Sequence, residues 1–294
     1  MASTQTFRRR IKSVNNTKQI TKAMEMVASV KMQKAIKAIS EARAYVQDSW
    51  NMFLKLAKLT LPENHPLLTP KEVGKTAIIF VTSDRGLCGS YNAETLKKLV
   101  SYTKELKEKP DIIAVGKKGA EYTKSYGIGN LVASFDGFES NISFEDIIPI
   151  SNLSNEEYLK GSYVKVVVVY SHFVSSLKQT PVVKQILPLQ KEHIDLPELW
   201  VQSEEKNENI EYKIEPNPEE ILNRLLYRFM RLQVYGAVLE GNASEHSARM
   251  VAMKNATDNA GSLIDDLTLT YNTIRQNSIT SEIAEISGAA EAMK

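Results

Sequence analysis

The chain has 294 residues, 43% of them hydrophobic and 24% charged, a length and composition that suit one large folded domain or two smaller ones. It has no run of about eighteen apolar residues that could cross a membrane, and its single cysteine, Cys88, excludes internal disulfides and four-thiolate metal sites and suits a reducing compartment. The net charge of +2 hides an asymmetry: residues 1–61 hold twelve Lys or Arg against three acids, whereas the last 79 hold seven against ten. A basic arm on an otherwise mildly acidic chain is expected to seek an acidic partner.

All ten prolines lie between Pro62 and Pro218, and the first 73 residues contain no glycine. Two long breaker-free ends thus flank a middle rich in turn residues, which reads as helix, globule, helix. The expected organisation is an N-terminal helix over 1–61, a central α/β domain over 75–195, a linker over 196–217 and a C-terminal helix over 218–294. The Phe7-Arg8-Arg9-Arg10-Ile11-Lys12 start resembles a mitochondrial presequence only superficially. It runs straight into a helical pattern and is expected to stay in the mature protein. In the first helix, apolar steps at Ile20, Ala23, Val27 and Val30 give way to a second frame, Met32, Ala35, Ile39, Ala42, Val46, Ser49, Phe53 and Leu56. The change of frame near Val30–Met32 should disturb coiled-coil winding there. This helix would be roughly 85 Å long.

The middle alternates strand and helix signals. Thr76–Thr82 reads as a buried strand, followed by a glycine-containing turn and a helix near Ala93–Lys107. Asp111–Val115 is a second strand, with a short helix after Gly116. A third strand is expected near Asn130–Ser134 and a helix near Ser143–Leu159. Val164–Tyr170 is the clearest strand, with Thr180–Leu187 as its mixed-sheet neighbour. Apolar runs alternating with helices indicate a mostly parallel sheet with helices on its faces, a Rossmann-like α/β domain. The stretch from Pro188 to Asn217 reads as linker, with one short strand at Glu211–Ile214.

The last stretch opens Asn217-Pro218-Glu219-Glu220, a helix start with Asn at the N-cap, Pro at the first position and Glu completing a capping box. Steps of three and four then give Leu222, Leu225, Phe229, Leu232, Gly236, Leu239, Ala243, His246, Met250, Met253, Thr257, Ala260, Ile264, Leu267, Tyr271, Ile274 and Ser278. About eight heptads sustain this pattern, far beyond an ordinary globular helix, for a rod of roughly 110 Å. The two long helices join one globule at opposite chain ends. They are therefore expected to pair as an antiparallel coiled coil with the globule at its base. The second is longer, and its tip should project by ~25 Å.

Candidate chemistry is sparse. Val73-Gly74-Lys75-Thr76 imitates the end of a phosphate loop, but Thr69 stands where glycine is needed and the segment leads into a strand rather than a helix. Ser83-Asp84-Arg85-Gly86-Leu87-Cys88-Gly89-Ser90 lies at the carboxyl end of the first strand, the edge where open α/β sheets bind ligands. Its glycines do not match the dinucleotide fingerprint, and the favoured reading is a tight turn that presents Asp84 and Arg85 to a neighbour. His65, His172, His193 and His246 lack metal-ligand spacing, and His246 falls in the seam of the long helix. Glu282 and Glu285 share a helix face at the end of an exposed rod, where solvation or a partner's basic group fits better than paired catalysis. Met24, Met26, Met32, Met250 and Met253 suit a seam or bearing surface, because methionine packs adaptably. No nucleophile–base pair can be read, so the residues describe a non-enzyme without a cofactor or a metal. Nucleic acid, an anionic membrane and an acidic protein are three possible partners for the basic helix. Its charges are not interleaved with aromatics before Tyr45, which argues against stacking on single strands. Its apolar stripe should be used by the second helix, which argues against membrane insertion. An acidic protein partner remains.

Three ordered motifs resemble the gamma subunit of F-type ATP synthases. They are Ile20-Thr-Lys-Ala-Met-Glu-Met-Val-Ala28; the Ser83–Gly89 turn with Asn92; and Ala243-Ser-Glu-His-Ser-Ala-Arg-Met-Val-Ala-Met-Lys-Asn-Ala-Thr-Asp-Asn-Ala260 with Tyr271-Asn272, Arg275-Gln276 and Ile279-Thr-Ser-Glu282. The resemblance covers essentially the whole chain. It implies a non-catalytic rotor shaft: a curved coiled coil inside a hexamer of alternating alpha and beta subunits. The α/β domain would lie beside the epsilon subunit and the ring of c subunits, at the cytoplasmic face of a bacterial membrane, with one copy per complex. The resemblance further implies that Arg275 and Gln276, with Thr280 and Glu282, meet the hexamer, that Lys18, Lys22 and Met24 lie against acidic levers of the beta subunits, and that the turn carrying Asp84, Arg85 and Cys88 faces partners. The chain departs from that family in two ways. Ser287 alone separates Ile286 from Gly288-Ala289, one residue fewer than usual, which rotates the residues beyond Ile286 by ~100°. There is also no cysteine pair of the chloroplast kind, which favours a bacterial origin. The competing reading is a coiled-coil adaptor or nucleic-acid-binding protein with an α/β head.

Overall fold

The computed structural model describes residues 4–60, 65–139, 142–189 and 217–293, with side chains described from 4 to 42 in the first segment. The linker and the short strand expected over 196–217, His193, and the frame positions Val46, Ser49, Phe53 and Leu56 lie almost wholly outside these limits. In chain order the elements are α1 (Thr4–Thr60), β1 (Lys75–Val81), α2 (Tyr91–Thr103), β2 (Asp111–Val115), α3 (Lys117–Tyr126), β3 (Asn130–Phe135), α4 (Phe144–Lys160), β4 (Tyr163–Phe173), β5 (Gln179–Leu187) and α5 (Pro218–Ala292). The chain divides into two compact units, Met1–Ala28 with Arg249–Lys294, and Ser29–Ala248.

The larger unit is built on a five-stranded sheet of order β3-β2-β1-β4-β5. β2, β1 and β4 are parallel neighbours, with Ile79 opposite Ile113 on one side and Val168 on the other. β3 extends the parallel run, whereas β5 closes the opposite edge antiparallel to β4, the mixed edge that the Thr180–Leu187 pattern implies. Central strands with both faces covered need apolar residues at every position rather than at alternate ones, and Ala77 to Val81 are all buried. Their side chains divide by parity. Ile78 and Phe80 join Leu99 of α2, Ile112, Val167 and Val169 in the core of one face. Val81 looks the other way, onto α5. Gly116 ends β2 at φ 101°, where a side chain would collide with the carbonyl of Thr82, so the strand can turn directly into α3. Ser143 caps α4 through a reciprocal pair with Asp146.

α5 begins at Pro218 and makes its first backbone bond from Ile221 to Asn217 O (3.2 Å). Leu222, Phe229, Leu232, Leu239, Ala243, His246, Met253, Thr257 and Ala260 of the expected frame are all buried. From Gly236 to Ser247 every residue is buried, so this part of α5 is enclosed all round rather than on one stripe. α4 packs on it through Phe144 edge-on to Tyr235, and through Arg231 donating to Asn152 Oδ1 (2.9 Å).

In the smaller unit the N-terminal part of α1 and the C-terminal part of α5 pair antiparallel. Thr257 Oγ1 meets Thr21 Oγ1 at 2.8 Å, and one turn further along α5 Gly261 faces the Lys18 side chain, one turn back along α1. This pairing corrects the frame expected for α1. Ile20, Val27 and Val30 are 60%, 57% and 54% exposed, and Ala23 is exposed with them. Burial instead follows Thr21, Ala28, Met32, Ala35 and Ile39, one continuous series of sevens, threes and fours without a frame change at Val30–Met32. The position that misleads is Thr21, polar by type but buried through its hydroxyl pair. Beyond Ile274 the α5 side chains from Arg275 to Ala290 are all exposed.

Candidate functional site

In an open α/β sheet the ligand crevice lies outside the carboxyl ends of the strands, where the strand order reverses. Here that point falls between β1 and β4, and it holds a segment of the chain itself. Gly241 of α5 comes so close to the end of β1 that an added Cβ would sit 2.8 Å from Val81 Cγ1. The Tyr91 hydroxyl, at the start of α2, donates to Gly241 O (3.0 Å). From the end of β4, Ser171 O accepts from Ser244 Oγ (2.8 Å) and His172 Nδ1 lies 2.6 Å from Glu240 Oε2.

The contacts continue round the helix. Asn242 donates to Phe138 O, and His246 Nε2 donates to Glu139 O (3.0 Å) in the loop after β3. Ser247 Oγ donates to Ser176 O (2.5 Å) and accepts from Gln179 Nε2 (3.2 Å) at the β4–β5 hairpin. Residues Glu240–Ser247 therefore wear a polar collar supplied by the start of α2, the end of β4, the loop after β3 and the β4–β5 hairpin. Carbonyls at strand ends have left the ladder and need donors. The polar side chains of α5 supply them at about 1 kcal/mol net for each neutral bond. Such an arrangement can fix a helix against sliding and turning relative to the sheet. With the crevice filled by α5, no small molecule has that room.

Glu139 adds a knot that sequence reasoning did not single out. Its carboxylate meets Arg85 Nε at 2.9 Å and Lys31 Nζ at 3.3 Å, while its carbonyl takes His246. One loop residue thus joins α1, the turn after β1, and α5. Because the Arg85 side chain is 79% exposed, its pair contributes little beyond orientation.

The turn after β1 is mainly an internal clasp. Asp84 accepts from Lys117 N (3.0 Å), at the positive end of α3, and from Gly137 N (2.8 Å). Asn92 accepts from Ser83 N and donates to Ser83 Oγ (2.6 Å) and to Cys88 Sγ (3.3 Å). Cys88, on the turn expected to face partners, is itself 2% exposed. Leu87, at φ 64° and 62% exposed, is the residue that points out. Lys75 opens β1 and pairs with Asp111 (3.6 Å), so the Gly74-Lys75-Thr76 sequence enters a strand. His65 Nδ1 accepts from Leu67 N, leaving Nε2 to donate to Asn223 Oδ1 (3.0 Å). Among the described residues no group of His, Cys, Asp and Glu could hold a metal ion.

The residues expected to meet partners are spread along the smaller unit. Asn15, Lys18, Lys22, Ala23, Met26 and Thr257 line an open groove of about 500 Å³. Lys22 Nζ is held 3.0 Å from both carboxylate oxygens of Glu25, and Met24 is half-buried. Arg275, Gln276, Thr280 and Glu282 are exposed. Thr280 Oγ1 donates back to Gln276 O (2.9 Å), and Glu282 accepts from Ser278 Oγ (3.4 Å), so Gln276, Thr280 and Glu282 make bonds along their own helix.

The ATP synthase family model matches residues 3–293. The chain is 42% identical over 294 residues to the ATP synthase gamma chain of Alkaliphilus metalliredigens, covering 99% of this chain and 98% of that one. It is 40% identical over 297 residues to the gamma chain of Histophilus somni, covering both in full. In fold it is similar to a chain of the Euglena gracilis mitochondrial ATP synthase (TM-score 0.67, 22% identity, 99% of this chain and 94% of that one). It is also similar in fold to a chain of the Tetrahymena thermophila mitochondrial central stalk and c-ring (TM-score 0.61, 23% identity, 81% and 99%).

Proposed function

The chain belongs to the gamma-chain family of ATP synthases, non-catalytic subunits of a rotary complex, and from that premise we propose how its parts carry torque. The two-helix unit is the shaft inside a hexamer of alpha and beta subunits, which hold the ATP chemistry. The sheet unit is the head, beside the epsilon subunit and the c ring, with one copy of the chain in each complex. No helix among the described residues is long and apolar enough to cross a membrane. The complex brings the chain to the cytoplasmic face of a bacterial membrane as a peripheral component.

The observation that carries this reading is the collar on α5. A rotor head needs a helix it can grip, and within the sheet unit the bonds to Glu240–Ser247 hold that segment of α5 to the sheet. Two exposed surfaces suit the hexamer. Ile20, Val27 and Val30 leave an apolar stripe uncovered, and lysines flank it at Lys18 and Lys22. Apolar contact beside cations fits partner loops that carry acidic groups among apolar ones. Arg275 and Gln276, on the exposed end of α5, are the second contact, with Thr280 and Glu282 beyond them. Leu87, beside Arg85, is the outward residue of the turn that faces partners, while Asp84 and Cys88 hold that turn in shape.

Mixing the purified chain with alpha and beta subunits tests the assignment. Co-elution with a hexamer in a ratio of one chain to three alpha and three beta is expected. A chain that elutes alone from a competent hexamer would overturn it and return the coiled-coil adaptor or nucleic-acid-binding reading.

A further inference from the structure

Glu240 has no exposed surface, and among the described residues its ion-pair partner is His172. The two side chains belong to different elements, α5 and β4, and Nδ1 and Oε2 are 2.6 Å apart. The Tyr170 phenol, two residues back along β4, also lies beside this carboxylate. Burial first, and then the charge and hydrogen bond of Glu240, push that phenol well above its ordinary range. The second carboxylate oxygen, Oε1, is buried without a hydrogen-bond partner among the described residues. The imidazole is the exposed end of the cluster, with 23% of its side chain open to solvent.

Other titratable and charged groups stand on the neighbouring elements. On β5, Thr180 stands opposite His172, with Lys178 towards the hairpin and Lys184 further along. From α2 comes the Tyr91 phenol, which donates to Gly241 O, and along α5 itself Glu245 is buried five residues on. In the nearby turn Arg85 and Glu139 pair with each other.

A lone ionised carboxylate in such a place is costly. An imidazolium 2.6 Å away offsets that cost. We propose that His172 and Glu240 form a one-proton clamp fastening α5 to β4, and that it slackens as pH rises above neutrality.

The direction is set by the unfolded chain. There the carboxyl loses its proton near pH ~4.3 and the imidazole near ~6.5, so above ~6.5 the two carry a net negative charge. In the folded chain the buried carboxylate 2.6 Å away favours the protonated imidazole. The folded state then binds more protons, and its stability falls as pH rises. Below ~6.5 the imidazole is protonated in both states and the contribution is fully present. The clamp differs in kind from the neutral bonds of the collar, which have no such dependence, and its existence does not depend on what the chain assembles with.

The test uses the isolated full-length chain. The first readout is the imidazole resonance of His172 through a pH titration in the wild type, where nothing needs to be refolded. It should titrate with a midpoint above the ordinary ~6.5, and Glu240→Gln should bring the midpoint down. The second is melting temperature against pH for the wild type and for the double variant His172→Gln with Glu240→Gln, which keeps polar groups of similar size. The wild type should lose melting temperature between about pH 7 and 9, and the double variant should lose less. A His172 midpoint at or below the ordinary value, or equal slopes in the two proteins, would overturn the clamp.

Discussion

Adding one methyl group at Gly241 tests whether α5 is seated on the sheet as closely as the collar requires. Both Gly241 and Gly261 lie inside α5, and replacing a glycine in a helix interior by alanine gains about 1 kcal/mol from propensity alone. At Gly261 the new Cβ would meet Lys18 Nζ at 3.2 Å and Cε at 3.7 Å, the far end of a flexible side chain that can swing aside. Gly261→Ala should therefore keep most of that gain. At Gly241 the same atom would sit 2.8 Å from Val81 Cγ1 and 3.5 Å from Tyr91 Oη, in a packed interface between helix and strand. Overpacking of that kind costs about 1–3 kcal/mol, so Gly241→Ala should come out between neutral and about 2 kcal/mol less stable. Thermal melting of the two variants reads the difference at about 2–4 °C for each kcal/mol in units of this size. The midpoint should rise for Gly261→Ala and stay or fall for Gly241→Ala. Equal rises would mean that α5 does not press against β1, and the collar would lose its basis.

Other expectations rest on single contacts. Tyr91→Phe removes the bond to Gly241 O and should cost about 1 kcal/mol in urea denaturation, whereas Tyr126→Phe, at a side chain 67% exposed, should change nothing. Arg275→Ala with Gln276→Ala should leave melting within about 0.5 kcal/mol of wild type yet lower the torque of the assembled complex; unchanged rotation would remove these residues from the hexamer contact. Val27→Ser should likewise spare the fold of the isolated chain and weaken co-elution with alpha and beta subunits, and an unaltered complex would leave the exposed stripe without a role. Burial, with Asp111 and Glu157 next, pushes the Tyr163 phenol up to about 12. Its contribution to stability is thus whole below the unfolded value of about 10 and is lost as pH rises from there towards 12. Tyr163→Phe should flatten that alkaline decline in a series of melts, and an unchanged decline would place its cause elsewhere.

The elements were legible wherever burial follows residue type. β2 is the Asp111–Val115 run itself, and Leu222, Phe229, Leu232, Leu239, Met253 and Ala260 of the apolar frame of α5 are buried, although from Gly236 to Ser247 burial extends all round the helix. The frame of α1 was not legible, because its buried face carries Thr21 and the half-buried Lys18 while Ile20, Val27 and Val30 lie outside. Periodicity finds the most apolar face, and in a subunit of a larger assembly that face can belong to a partner rather than to the neighbouring helix. The collar was hidden for a different reason. Ser244, Asn242 and Ser247 donate to carbonyls 71 to 104 residues away, and no spacing along α5 reveals such partners. The Ala243–Ala260 motif marked the place through family resemblance, but the bonds made there come from the tertiary fold. The same limit applies to Cys88. A turn at a strand end reads as outward-facing, but the Asn92 side chain draws the thiol inward.

The shaft role is tested most directly by watching the chain turn. Cys88 is the only cysteine and is buried, so Lys107→Cys on the exposed surface of the head gives a handle for a bead while the hexamer is held on a surface. With ATP supplied, the bead should rotate in one direction in steps that follow turnover at the beta subunits. ATP hydrolysis by a hexamer that contains the chain, beneath a bead that stays still, would contradict the shaft role.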